Sequence, residues 1–286
     1  MTGLDLETYR LRAQAAYSPA TVEKRLVALR RYAEFLGARG LRPGAESLML
    51  WLDELQRSGY SPATISAYAH AVLSYFELML VPVDERALRA IRRRLPPAAT
   101  GPVDYLTEEE VARLLQTAPP HRKLIYALMY AYARRLGEVL SLTWRDVDLE
   151  RGTITFTILK RRRPERATYA LEPWIAEMIR AYRHLLGAER LFPLTERAVE
   201  RAFKRDCARA GIEPRGRRLR PHVLRHSRAT SLAARGVPID VVSKHVLRHS
   251  KLETTVRFYR AVTEEEVRMI PSAGEVLEQA ARGLRE

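Results

Sequence analysis

Apolar positions recur at helical spacing along most of the chain. Val22, Leu26, Leu29, Tyr32 and Leu36 fall three or four residues apart, as do Ile65, Tyr68, Val72, Tyr75 and Leu78. That is the period of one helix face. Both runs open on the same five residues: Tyr17-Ser18-Pro19-Ala20-Thr21 recurs as Tyr60-Ser61-Pro62-Ala63-Thr64. In each copy the serine can cap a helix, and the proline occupies the first helical position, where its missing N–H costs no bond. Ala45–Ser58 reads as another helix between them, and Val81–Arg94 as one more, ending in Arg92, Arg93 and Arg94. Two copies are too few for a solenoid, so the pattern predicts a compact bundle of about four helices.

The pattern then breaks. Leu95 to Pro102 is proline-rich and uncharged, a composition that forbids helix and favours an extended connector. The expected division is a helical domain over 1–95, a linker over 96–104 and a second domain over 105–286. The second domain opens on Thr107 and Glu110, spaced as a capping box. Helices are expected over Glu108–Thr117, Arg122–Arg134 and Leu136–Leu142. The β-branched alternation of Thr153–Ile158 then signals a strand, which returns as Arg166–Leu171. The predicted turn between them is cationic, with Lys160, Arg161, Arg162 and Arg163 at its tip. Helical patterns resume over Pro173–Leu186, Glu196–Ala210, Val223–Arg235 and Pro238–Val246, and a last helix is expected near Glu275–Arg282. The fold class is therefore mainly α with a small antiparallel β-sheet, in two domains.

Composition narrows the function classes. The 286 residues are 47% hydrophobic and 29% charged, as in a globular protein, and no apolar run approaches the roughly 20 residues that span a bilayer. The first residues lack the basic start and apolar core of a secretory leader, so a cytoplasmic, nucleoid-associated location without membrane contact is expected. A single cysteine, Cys207, excludes an internal disulfide and a cysteine-rich metal site. Lys+Arg 49 against Asp+Glu 34 leaves a net charge of +15. A polyanionic partner accounts for such an excess through phosphate contacts; a merely basic surface, or one that binds RNA or acidic proteins, is the competing account.

One stretch gathers the candidate chemistry. Between Arg220 and Val262 lie Arg220-Pro221-His222-Val223-Leu224-Arg225-His226, then Leu247-Arg248-His249, then Thr254-Thr255 and Tyr259. Cleaving a phosphodiester without a metal requires donors for the extra negative charge of the phosphorane, a proton for the leaving oxygen and a nucleophile opposite to it. Guanidiniums, imidazoles, a lysine and a tyrosine supply those parts. No His-Glu-x-x-His, acidic triad or Walker loop is visible, so a metal-dependent nuclease is disfavoured. A helix starting near His222 puts His222 and Arg225 on one face, whereas His226 is expected to point elsewhere and to be structural.

In these motifs the chain resembles the tyrosine recombinase (phage integrase, Xer-like) family over essentially its whole length. The family pattern is an arginine within Gly-Leu-Arg-x-x-Glu-Leu, a hairpin lysine, His-x-x-Arg, Leu-Gly-His, and a tyrosine after Thr-Thr. Here the first box reads Ala133-Arg134-Arg135-Leu136-Gly137-Glu138-Val139-Leu140. Counting back from Glu138 makes Arg135 the catalytic arginine and Glu138 its support; Arg134 is the competing candidate. Lys160 is the only lysine between Lys123 and Lys204 and takes the place of the hairpin lysine, although the usual Gly-Lys-Gly turn is missing. His222 and Arg225 match the second box, and His249 the third, with Arg248 replacing glycine. The family's commonest spacing from this histidine falls on Phe258, which has no hydroxyl. Tyr259, one residue later, is therefore the expected nucleophile.

The resemblance implies an enzyme that cuts and rejoins DNA strands through a 3′-phosphotyrosyl intermediate, with neither metal nor ATP and no cofactor. Its implied partner is a double-stranded DNA recombination site, bound by a tetramer to which the C-terminal helix, through Val276, Leu277 and Ala280, can contribute a contact. Arg92 to Arg94 and Arg161 to Arg163 are the expected DNA-backbone contacts. An Xer-like resolvase of chromosome or plasmid dimers is the first expectation. A mobile-element integrase, a type IB topoisomerase and a catalytically silent DNA-binding relative are the alternatives.

Overall fold

The computed structural model describes residues 3–95, 103–158, 165–248 and 255–256. The chain divides into two compact units, 1–100 and 101–286, each with its own apolar core.

Among the described residues the first unit holds five helices: α1 (Leu6–Ala16), α2 (Pro19–Arg39), α3 (Ala45–Arg57), α4 (Pro62–Leu78) and α5 (Glu85–Arg94). The repeated pentapeptide has one physical role in both copies, because Ser18 and Ser61 accept the amides of Thr21 and Thr64 at 3.3 and 3.2 Å. Leu26, Leu29, Tyr32 and Leu36 of α2 pack with Trp51, Val72 and Phe76 in the core. The buried hydroxyls are satisfied across it: Tyr32 meets Ser47 and Tyr9 meets Ser74, both at 2.8 Å. The expected count of about four helices is corrected by α1. Asp5 caps it by accepting the Thr8 amide at 3.0 Å, but α1 buries only Tyr9 and Ala13, too few for a legible period.

In the second unit Thr107 and Glu110 form the expected capping box of α6 (Glu108–Thr117). Helix α7 (Pro120–Ala131) runs through the core, with every residue from Leu124 to Met129 buried. It stops short of Arg134, because Ala133 adopts the left-handed region at φ +50°, and α8 (Leu136–Leu140) begins three residues after Ala133. Strands β1 (Val147–Asp148), β2 (Thr153–Ile158) and β3 (Glu165–Ala170) form one antiparallel sheet in that order. Ile154, Phe156 and Ile158 of β2 and Ala167 of β3 are its buried positions. Strand β1 is two residues long, and strands so short carry no alternation to read. Then follow α9 (Pro173–Ala181), α10 (Glu196–Arg209), α11 (His222–Ala234) and α12 (Ile239–Val241), the last running into a π-helical turn over Val242–Val246.

A polar knot ties α7 to α10. Asp206, 1% exposed, accepts bonds from Arg122 at 2.7 and 3.0 Å and from the Tyr126 hydroxyl at 2.8 Å. Burial alone would raise the Asp206 pKa, but the bonds from Arg122 and Tyr126 outweigh it and hold the carboxyl below its usual value. The pair thus stabilises the fold at neutral pH, and that contribution is lost as pH falls below about 4. Asp206→Ala is expected to destabilise the chain by about 3 kcal/mol, because it strands a partly buried guanidinium; the denaturant midpoint measures this. Among the described residues, no helix is long and apolar enough to cross a membrane.

Candidate active site

The left-handed turn at Ala133 sets Arg135 at the N-cap of α8. Glu138, one turn on and 1% exposed, holds it twice. One carboxylate oxygen accepts the Arg135 backbone N–H at 3.1 Å, and the other accepts the guanidinium at 2.7 Å. A buried carboxylate bonded in this way fixes the fork of the arginine before any ligand arrives.

Pro221 precedes α11, and His222 is its first residue, exposed at the helix start. His222 and Arg135 line one cleft of about 610 Å³, together with Glu138, Arg220, His226 and Asp104. Glu196 and Glu200 of α10 also reach this cleft, which no motif announced. The expectation that His226 points elsewhere is corrected. It lies one turn beyond His222, their rings are 4.7 Å apart, and its Nδ1 meets the Asp104 carbonyl at 3.1 Å. Residues four apart on a helix stack on one face.

Arg225 is not among the residues lining that cleft. Its side chain is 1% exposed and donates to the carbonyls of Ala133 and Leu247, the latter at 2.5 Å. Desolvation, with the like charges of Arg135 and Arg134 beside it, lowers its pKa to about 9, so it still carries its charge at neutral pH. Arg134, the competitor of Arg135, is turned inward. It donates to the Tyr132 carbonyl at 2.6 Å and to the Val246 carbonyl, and burial lowers its pKa. One arginine of the pair faces the cleft and the other holds backbone.

Of the remaining expected residues, Arg92 and Arg93 are exposed on α5, while Arg94 pairs with Asp53 at 2.7 Å. Lys160, Arg161, Arg162, Arg163, His249, Tyr259 and the C-terminal helix lie outside the described residues. Thr255 is buried. Among the described residues no group of three or more His, Cys, Asp or Glu is arranged to hold a metal ion.

The Phage integrase family model matches residues 104–266. This chain belongs to the phage integrase family. It is a tyrosine-type site-specific recombinase, a class of enzyme that cleaves and rejoins DNA. The chain is 32% identical to the tyrosine recombinase XerA of Thermococcus kodakarensis over 278 residues, 92% of either chain. Its fold resembles that of the Tn1549 transposon integrase in complex with transposon right end DNA, with a TM-score of 0.70, 15% identity, and 94% of this chain and 99% of that one covered. It also resembles XerH bound to its difH substrate in a pre-cleavage complex, with a TM-score of 0.64, 20% identity, and 87% and 79% covered.

Membership explains two oddities of the backbone. Ala133 and Arg248 stand where the family pattern has glycine, and both adopt positive φ, +50° and +49°. The pattern asks for a left-handed backbone at these positions, which glycine adopts without steric cost. Sequence reasoning saw the substitutions and missed what they carry. Arg248 donates from Nε to the Tyr169 hydroxyl at 2.9 Å and from Nη1 to Glu165 at 2.6 Å. No local spacing could reveal partners so distant in sequence.

Proposed function

We propose that this recombinase is Xer-type and resolves chromosome or plasmid dimers, using Tyr259 as nucleophile and Arg135, Lys160, His222, Arg225 and His249 as its catalytic set. The observation that carries the reading is the meeting of Arg135 and His222 in one cleft, from elements far apart in the chain, with the Arg225 charge buried close enough to feel that of Arg135. Arg135 and His222 are donors suited to the non-bridging oxygens of a pentavalent phosphorus, and the buried Arg225 adds its positive charge to theirs.

In this mechanism the Tyr259 hydroxyl gives its proton to solvent, and the phenolate oxygen attacks phosphorus. The bond to the 5′-oxygen breaks, and that oxygen leaves with a proton from Lys160. The chain is then joined to the 3′-phosphate. Attack by a 5′-hydroxyl of a partner strand reverses the step and frees the tyrosine. The phosphotyrosyl bond retains the energy of the phosphodiester, so the cycle balances without ATP or metal. A tetramer on two sites performs the exchange, with the C-terminal helix as a contact between protomers. The extent of likeness to XerA, 92% of each chain, supports the Xer task.

Covalent protein–DNA adducts captured from the genomic DNA of the source organism test the proposal. Expected are adducts at one chromosomal or plasmid site, and resolution of a supercoiled plasmid carrying two direct copies of it. Adducts at the ends of a mobile element, with integration outpacing resolution, would overturn the Xer task. Absence of any adduct would favour a silent DNA-binding relative.

A further inference from the structure

Two catalytic boxes depart from the family pattern by gaining an arginine, and both arginines meet one tyrosine ring. Arg134 stands in place of leucine and Arg248 in place of glycine. Their guanidinium carbons lie 5.3 and 5.8 Å from the centre of the Tyr169 ring, within the range of a cation–π contact. Tyr169 is held in turn by the core, with Tyr132 and Phe156 at 5.8 and 6.0 Å.

Arg248 reaches further. Its bonds to Tyr169 and Glu165 both fall on β3. Glu165 is paired in register with Ile158, the last residue of β2, so Arg248 grips the hairpin at the end where its two strands meet residues 159–164, the stretch that includes Lys160. Arg134 and Arg225 in turn donate to the carbonyls of Val246 and Leu247. Three consecutive residues, 246 to 248, are therefore tied to three different parts of the unit, immediately before His249. The backbone at Arg248 would be easier for glycine to adopt, so what arginine adds there lies in its side chain.

We propose that Arg248, through Glu165 and Tyr169, is a positioning residue that locks strand β3 of the β2–β3 hairpin to the segment entering His249, so that hairpin and histidine address the scissile phosphate together. The inference rests on the assignment of Lys160 as the proton donor. Its reach extends to the leaving-group step, because a hairpin released from Arg248 would no longer hold that lysine at the 5′-oxygen.

A nicked duplex with sulfur in place of the bridging 5′-oxygen tests this, since a thiolate leaves without needing a proton. Arg248→Gly is expected to keep duplex affinity within about twofold and to slow single-turnover adduct formation on ordinary DNA by about tenfold or more. The bridging sulfur should restore the rate. Glu165→Gln should behave alike, and the double variant should be no slower than either single one, as for residues acting as a unit. Lys160→Ala on both substrates is the reference. If it is rescued by sulfur while Arg248→Gly stays slow on both, the inference falls and the lysine assignment stands. Arg248→Gly cleaving ordinary DNA at the parent rate would equally overturn it. If Lys160→Ala is not rescued, the lysine assignment falls instead. The double variant then decides the inference, with additive slowing counting against it and shared slowing for it.

Discussion

Tyr259→Phe is expected to abolish covalent capture of DNA on a nicked duplex, while binding to the same duplex stays within a few fold. The substitution removes one oxygen and nothing else, and that oxygen is the atom that would form the bond to phosphorus. Residual capture should fall by about 10⁴ or more, as when the nucleophile of a catalytic set is removed. The neighbour provides the control. Phe258 occupies the family's commonest spacing, so Phe258→Tyr added to Tyr259→Phe asks whether spacing or identity decides. Consecutive residues project about 100° apart on a helix and to opposite faces of a strand, so the second tyrosine is expected not to restore capture. Capture that survives Tyr259→Phe, or returns with Phe258→Tyr, would move the nucleophile.

The second large effect separates two adjacent arginines. Arg135 lines the cleft and is held by Glu138; Arg134 is buried and bonded to main-chain carbonyls. Arg135→Lys, which keeps a cation beside the buried Glu138 but loses the planar fork, should slow adduct formation by about 10², the order of loss when one preorganised donor to an oxyanion is removed, with the denaturant midpoint barely moved. Arg134→Ala should do the reverse. It leaves buried carbonyls without their donor, which costs roughly 1–3 kcal/mol of stability, and should slow cleavage by the folded protein far less. Rates and midpoints measured together give two opposite signatures. Should Arg134→Ala silence cleavage at unchanged stability, the assignment of the pair would be inverted.

The helical architecture was legible because its signals are local. Ser-Pro openings, a capping box and apolar positions three or four apart fix helices by themselves, and the alternation of Thr153–Ile158 did the same for β2. Helix α1 escaped because only Tyr9 and Ala13 are buried, and β1 because two residues have no period. The inner side of the site was illegible for another reason. Box spacing placed Arg225 beside His222, and the helix does put them one turn apart. Yet only tertiary packing could show that its guanidinium is bonded to Ala133 and Leu247. Likewise, the spacing rule that set His226 apart from His222 considered three-residue steps and overlooked the four-residue step that brings their rings together.

The left-handed residues Ala133 and Arg248 have a consequence for how such chains are found. A motif spelled with glycine describes a torsion angle in the language of residue identity. Other residues can satisfy the torsion when their surroundings hold them there: Ala133 lends its carbonyl to Arg225, and Arg248 is held by Tyr169 and Glu165. A search keyed to the letters Gly-Leu-Arg or Leu-Gly-His passes over this chain at both boxes, whereas one keyed to a positive φ two residues before the arginine and one before the histidine retains it.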